Sequence, residues 1–262
     1  MKKLLDRIFI DGLGGMAQGL FATLIIGTII QQIGLFMGGG TGDLIYELGK
    51  IAAGLTGAGI GVGVARKLEA GHLVIVSAAV VGMIGAFAGK ILSGQVLVDG
   101  NLVLAGPGEP LGAFAAAYLA IEIGILISGK TKLDIILTPL VCIGTGSAVG
   151  LFVGPPISEF MLWLGSLINW GTEQQPFLIG IVVSVLMGMI LTLPISSAAL
   201  GVILNLSGLA AGAATIGCCC NMIGFAVASW RENKFSGFLA QGIGTSMLQI
   251  PNIVRRPLIW LP

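Results

Sequence analysis

The stretch from Gln174 to Trp230 contains no Asp, Glu, Lys, Arg or His. As a single helix it would be roughly 85 Å long at about 1.5 Å per residue, whereas the apolar core of a bilayer is about 30 Å thick. An uncharged stretch of that length has to fold back on itself inside a membrane. Pro194 is the first expected break. It follows Leu191-Thr192-Leu193 and precedes Ile195-Ser196-Ser197-Ala198-Ala199-Leu200. A helix is therefore expected to end near Leu193, with Ser196 or Ser197 capping the next. A softer break is expected across Ala210-Ala211-Gly212-Ala213-Ala214-Thr215-Ile216-Gly217. Three passes result, near Phe177–Leu193, Ser197–Ala213 and Ile216–Trp230.

The whole chain shares this character. It is 55% hydrophobic and 10% charged, against about 25% charged in soluble domains, which places it among integral membrane proteins. Its 43 glycines allow helices to approach closely and to break where a cavity needs backbone groups. A net charge of +1 gives no footprint for nucleic acid. Cys142 and Cys218-Cys219-Cys220 lie in apolar segments. Three adjacent cysteines on a helix point in different directions, so they read as small packing residues and not as a redox or metal clamp. No nucleotide-binding loop is expected, and no H-E-x-x-H motif or Cys/His pair at ligand spacing occurs. No catalytic residue, metal or cofactor is expected.

Residues 1–14 read as a cytoplasmic amphipathic lead-in, because the apolar run that follows is too long for the core of a signal peptide. Further apolar segments fall near Gly15–Met37, Leu44–Val64, Leu73–Ala88, Leu111–Ser128 and Ile135–Gly154. With the three passes above they make eight expected crossings. Placing the N-terminus inside puts Lys2, Lys3, Arg7, Arg66, Lys67, Lys130, Lys132, Arg231 and Lys234 on the inner side and only Lys50 and Lys90 on the outer. That is the bias expected of a cell inner (plasma) membrane protein. Residues 94–110 read as an outer hairpin loop, with Val96-Leu97-Val98 and Leu102-Val103-Leu104 flanking an Asp99-Gly100 turn. Pro155-Pro156 is expected to end the fifth crossing, and Ile157–Trp170, with Phe160, Trp163 and Trp170, reads as an interfacial helix. Residues 235–262 form either a ninth crossing or a re-entrant segment. Re-entry is the reading that returns Arg255 and Arg256 to the positive side. The expected fold class is therefore an all-α polytopic membrane protein of about eight transmembrane helices plus re-entrant or broken segments, with a small extracytoplasmic β-hairpin. One domain spans 1–262.

An internal echo points to an inverted repeat. Ala17-Gln18-Gly19-Leu20-Phe21-Ala22-Thr23 resembles Ala240-Gln241-Gly242-Ile243-Gly244-Thr245, and Ile136-Leu137-Thr138-Pro139-Leu140 resembles Leu191-Thr192-Leu193-Pro194-Ile195. Interrupted segments in corresponding halves mark transporter sites. The candidate substrate-binding residues follow. Glu122 lies within an apolar crossing, where a carboxylate faces a cavity or a cation, or else is hydrogen-bonded between helices. Gln18, Gln241, Thr23 and Thr245 offer amides and hydroxyls suited to a neutral polyhydroxylated solute, and equally suited to bonds between helices. Ser196, Ser197, Asn205 and Asn221 belong to the uncharged stretch, where a broken helix would free backbone groups toward a cavity. His72 reads as a solvated loop residue.

The opening Gly14-Gly15-Met16-Ala17-Gln18-Gly19-Leu20-Phe21-Ala22-Thr23-Leu24-Ile25-Ile26-Gly27-Thr28, the Leu193–Leu200 break and the closing region from Gly237 to Pro257 resemble the phosphotransferase-system subunit IIC-like membrane proteins. That family has a branch containing perfringolysin-type regulatory membrane proteins. The resemblance covers nearly the whole chain and implies a permease domain, often oligomeric with a dimer as the expected form, that handles a sugar-like solute or organic acid by alternating access. No soluble IIA or IIB module accompanies it in this sequence, so any phosphotransfer would use separate phosphotransferase subunits. The alternative is a membrane-bound solute sensor or regulator of gene expression that does not transport. The expected partners are the lipid bilayer and a small polar solute.

Overall fold

The computed structural model describes residues 6–98, 100–193, 206 and 208–260. The chain forms two compact units, Met1–Ile157 and Ser158–Pro262.

The first unit is a succession of antiparallel helices. A π-helical turn (Arg7–Gly12), α1 (Leu13–Leu20), a second π-helical stretch (Phe21–Ile25) and α2 (Ile26–Met37) follow one another without leaving helical geometry. The lead-in is thus continuous with the first span. Gly38, at φ +63°, reverses the chain. α3 (Gly39–Gly54) then returns along α2, and α4 (Thr56–Lys67) along α1, with a bend of 50° between them. Small residues set these distances. A Cβ at Gly19 would strike the Gly59 carbonyl, and one at Gly61 the Ala78 carbonyl of α5 (His72–Ala86). In a membrane, where lipid is as apolar as the helices, such close approach is a main source of association.

After α5 come the short α6 (Ala88–Leu92) and two strands, β1 (Leu97–Val98) and β2 (Asn101–Leu102). The strands pair antiparallel, Leu97 with Leu102 and Val98 with Asn101. Gly100 sits in the turn at φ +77°. Asp99 lies outside the described residues. α7 (Pro110–Ile127) starts with proline at its first turn, and the Glu109 carboxylate accepts a hydrogen bond from the Leu111 amide at 3.4 Å. Burial pushes the Glu109 carboxyl above its ordinary pKa. The part of α8 (Asp134–Gln174) up to Ile157 completes the unit. Its early turns pack on α5 and α7, where Gly146 meets Val81 and Ala120. The core there is Val81, Ala116 and Ala120 with Ile143.

Pro155-Pro156 does not end this helix, whose backbone is helical from Asp134 to Gln174 with Pro139, Pro155 and Pro156 inside. The expected interfacial helix from Ile157 is the continuation of α8. A proline removes one donor, but a full break in an apolar setting would leave several carbonyls and amides without partners. Antiparallel order gathers Arg7, Arg66, Lys67, Lys130 and Lys132 at one end of the unit. The chain reversal at Gly38, Lys90 and the strand pair lie at the other.

In the second unit α9 (Pro176–Thr192) packs on α10 (Gly208–Ala228). Gly180 faces Ala213, Gly188 faces Gly217 and Asn221, and a Cβ at Gly217 would meet the Ser184 carbonyl. The two helices therefore run parallel, so Thr192 and Gly208 stand at opposite ends of the pair. α9 ends as expected, with Leu193 extended at φ −75° and ψ 156°. The softer break does not exist: α10 is unbroken through Ala210–Gly217. Alanine favours helix strongly enough to carry the isolated Gly212 and Gly217, and Gly217 is where α9 needs to approach. Pro194, Ser196, Ser197 and Asn205 lie outside the described residues.

The rest of the chain is broken into short pieces. These are α11 (Trp230–Leu239), a π-helical turn (Ala240–Gly244), a 3₁₀ turn (Ser246–Gln249), α12 (Ile250–Arg255) and a 3₁₀ turn (Pro257–Trp260). Lys234, at φ 52° and ψ −152°, kinks α11, and Thr245 is fully extended. By length and composition, the described residues contain 4 helices able to cross a membrane, or up to 5 if the bent α3–α4 pair is one span. Two shorter apolar helices, His72–Ala86 and Phe177–Thr192, accompany them. Large apolar side chains face outward, Phe36 at 88% exposure and Phe152 at 82%, which suits a surface solvated by lipid.

Candidate functional site

The broken pieces of the second unit enclose its polar interior. α10 delivers Phe225 and Ala228 to the wall of a cavity, and Ser229 follows directly. The kink at Lys234 turns the chain, so that Glu232 and Asn233 line one side while the next segment comes back. The extended Thr245 then sets the following helical turn at a new angle. Its hydroxyl accepts a hydrogen bond from the Met247 amide at 3.1 Å and caps that turn. Pro251 opens α12, which carries Asn252 and Arg255, with Arg256 next.

These turns bring four polar side chains into a ladder. The Gln241 amide nitrogen donates to the Ser229 hydroxyl at 2.9 Å. Gln249 donates to the Gln241 carbonyl oxygen at 2.7 Å, and Asn252 to the Gln249 carbonyl oxygen at 2.7 Å. Gln241 and Gln249 are buried, at 3% and 5% exposure. Both ends of each buried amide are used, so its orientation is fixed. The cavity beside the ladder has a volume of about 630 Å³ and is lined by Ser229, Glu232, Asn233, Gln249, Asn252, Arg255 and Arg256, with Phe225, Ala228 and Ile259 as apolar wall. This is the size and mixture of surfaces typical of a small-ligand site. The tail is tied back across the unit: the Trp260 indole donates to the Thr192 hydroxyl at 2.6 Å.

Of the described residues singled out from sequence, three lie in this unit. Gln241 is a rung of the ladder. Thr245 shapes the break. Asn221 sits on α10 one helical turn before Phe225, and its side-chain oxygen is buried without a hydrogen-bond partner among the described residues, as is the Ser246 hydroxyl. The other described candidates belong to the first unit. Glu122 is not alone there: Arg7 donates to it through Nε at 2.6 Å and through a terminal nitrogen at 3.3 Å. The Glu122 hydrogen bond raises the Arg7 pKa above its ordinary value. Tyr118 lies one turn earlier on α7, with its buried hydroxyl beside the Arg7–Glu122 pair. Glu122 is five residues from the end of α7, about 8 Å along the axis, so it sits near the positive end of the unit. Gln18 is exposed on α1, and the Thr23 hydroxyl bonds back to the Gly19 carbonyl at 2.8 Å. The echoed Gln18 and Gln241 thus have different settings, one exposed and one buried.

Ser229, Glu232, Asn233, Gln249 and Asn252 were not legible as a site. The available signal was the Gln249, Asn252, Arg255 spacing, polar every third residue along an otherwise apolar end of the chain. Among the described residues no group of three or more His, Cys, Asp or Glu is placed to hold a metal ion.

A sequence model of the family described as "Phosphotransferase system, EIIC" matches residues 10–262. The chain belongs to this family. EIIC proteins are multi-pass membrane permeases for sugar transport and work with separate phosphotransferase components. The match includes both units, so the ladder and its cavity are part of the EIIC domain. Neither the curated proteins nor the solved structures contain a match to the chain.

Proposed function

We propose that this EIIC protein binds its sugar in the cavity of the second unit and moves it by alternating access, with its N-terminus and positive loops on the cytoplasmic side of the inner membrane. The observation that carries the reading is the hydrogen-bonded ladder Ser229–Gln241–Gln249–Asn252, of which Ser229, Gln249 and Asn252 line a cavity of about 630 Å³. Amides fixed in orientation by one another present donors and acceptors in set directions, which is how a neutral polyhydroxylated solute is recognised without a counter-charge. The short broken helices around it supply what alternating access needs, a segment whose backbone can rearrange at depth because it lines a polar space.

Separate phosphotransferase chains provide the phosphoryl group, and they meet the protein at the positive face. Glu122 serves the first unit by holding Arg7 on α7, and is not a sugar ligand in this reading. A dimer is the proposed assembly. A sensor that binds without moving its solute is not favoured by the family.

The test is uptake of a labelled sugar panel into proteoliposomes supplied with the partner components. Loss of uptake in Gln249→Ala with retention in Glu122→Gln supports the assignment. The reverse pattern moves the site to the first unit.

A further inference from the structure

The proposed sugar cavity has a charged open end that the amide ladder does not explain. Arg255 and Arg256 both line it and are exposed, and neither has an ion-pair partner among the described residues. Glu232 is the one carboxylate in the same lining, so two guanidinium groups face one acid. Asn252 stands between the two regions. It lines the cavity and donates to Gln249, and it lies three residues before Arg255 on α12, on the same side of the helix.

We infer that Arg255 and Arg256 form an anion subsite, so that the cavity takes a ligand with hydroxyls against the ladder and a phosphate or carboxylate at its mouth. The inference rests on the cavity being the sugar site. Guanidinium groups suit it because each offers a planar fork of donors matched to two oxygens of a phosphate or carboxylate. A neutral sugar would fill only the ladder end and leave both cations to water. The chemical class is therefore a sugar phosphate ester or a sugar acid. A lipid phosphate reaching the cavity mouth from the membrane would meet the same chemistry, and the experiment separates that source.

The full-length protein is placed in nanodiscs of net-neutral phosphatidylcholine and titrated with inorganic phosphate and with hexoses and pentoses, each paired with its phosphate ester and its acid. For the sugar that binds, the ester or the acid is expected to bind about tenfold tighter, the size of one charge-assisted hydrogen bond at the weak end of its range. Inorganic phosphate competes with the anionic ligand only, and high salt erases the preference. The Arg255→Gln/Arg256→Gln double variant loses the tenfold difference between the anionic ligand and the neutral sugar. If that variant unfolds, Arg255→Lys/Arg256→Lys keeps the charge and carries the test by its salt dependence. Equal affinity for neutral and anionic ligands, or a preference that survives the glutamine pair, overturns the subsite while the sugar site stands. A variant that changes only retention of anionic lipid, with no ester or acid preference in neutral lipid, assigns the arginines to headgroups and also overturns it. Failure of every sugar, ester and acid to bind the wild type overturns the cavity reading and the subsite together.

Discussion

Replacing Gln241 by Met keeps the side chain's length and removes both of its hydrogen-bonding ends. The variant loses the bond to Ser229 and the one from Gln249, at 2.9 and 2.7 Å. Side-chain hydrogen bonds within membrane proteins average about 0.6 kcal/mol each and reach about 1.7. The two bonds alone are therefore worth about 1–3 kcal/mol. The Gln249 amide nitrogen, in a residue 5% exposed, is also left without a partner, a cost of about 1–3 kcal/mol when nothing replaces it. Gln241→Met should then destabilise the protein by about 2 kcal/mol or more, which lowers the melting temperature by roughly 5 °C for a chain of this size. Gln249→Met should cost a similar amount. The decisive variant is the double one: with both amides gone no buried amide is left orphaned between them, and their outer partners Ser229 and Asn252 are not buried, so the pair should cost about 1 kcal/mol less than the sum of the singles. Thermal unfolding in detergent, followed by circular dichroism, reads all three. Strict additivity, or a Gln241→Met protein as stable as wild type, would refute the ladder as a cooperative unit.

Three further outcomes are expected. Lys234 occupies a backbone region suited to glycine, at φ 52°, so Lys234→Gly should raise stability by about 1 kcal/mol, seen as a higher melting temperature; an unchanged or lower value means the kink is unstrained. Gly19→Leu forces a side chain into the Gly59 carbonyl and should abolish folded yield on size-exclusion chromatography, whereas Gly54→Ala, with open space around it, should leave the yield intact. Burial raises the Glu109 pKa in the fold, so its contribution to stability is full below the ordinary carboxyl range and falls as pH rises through the elevated folded value. Glu109→Gln should remove that part of the pH dependence of melting, and an unaltered profile would show that Glu109 is not its source.

The membrane character and most helix positions follow from one-dimensional facts. A run of apolar residues longer than a bilayer core must cross or fold back, and the reversal at Gly38, the stop at Leu193 and the turn at Gly100 each have a local cause. Two breaks were misplaced because they depend on what surrounds the chain. Pro155-Pro156 would stop a helix in water but stays within α8, and Ala210–Gly217 looks soft until Gly217 is seen against Ser184. The site was the least legible part. Gln241 stood out for its type, yet its partners come from residues 12 positions before and 8 after it, and short-range pattern carries no information about such pairings. Arg7 likewise reads as a topological charge until the fold places it on Glu122, 115 residues away.

The central claim is that sugar occupies the cavity beside the amide ladder. The direct measurement is photo-crosslinking of the purified protein with a photoreactive analogue of the sugar it transports, followed by peptide mapping by mass spectrometry. Adducts confined to residues 225–259, and competed away by the parent sugar, are the predicted result. Competable adducts in the first unit around Tyr118 and Glu122, with none in 225–259, would contradict it.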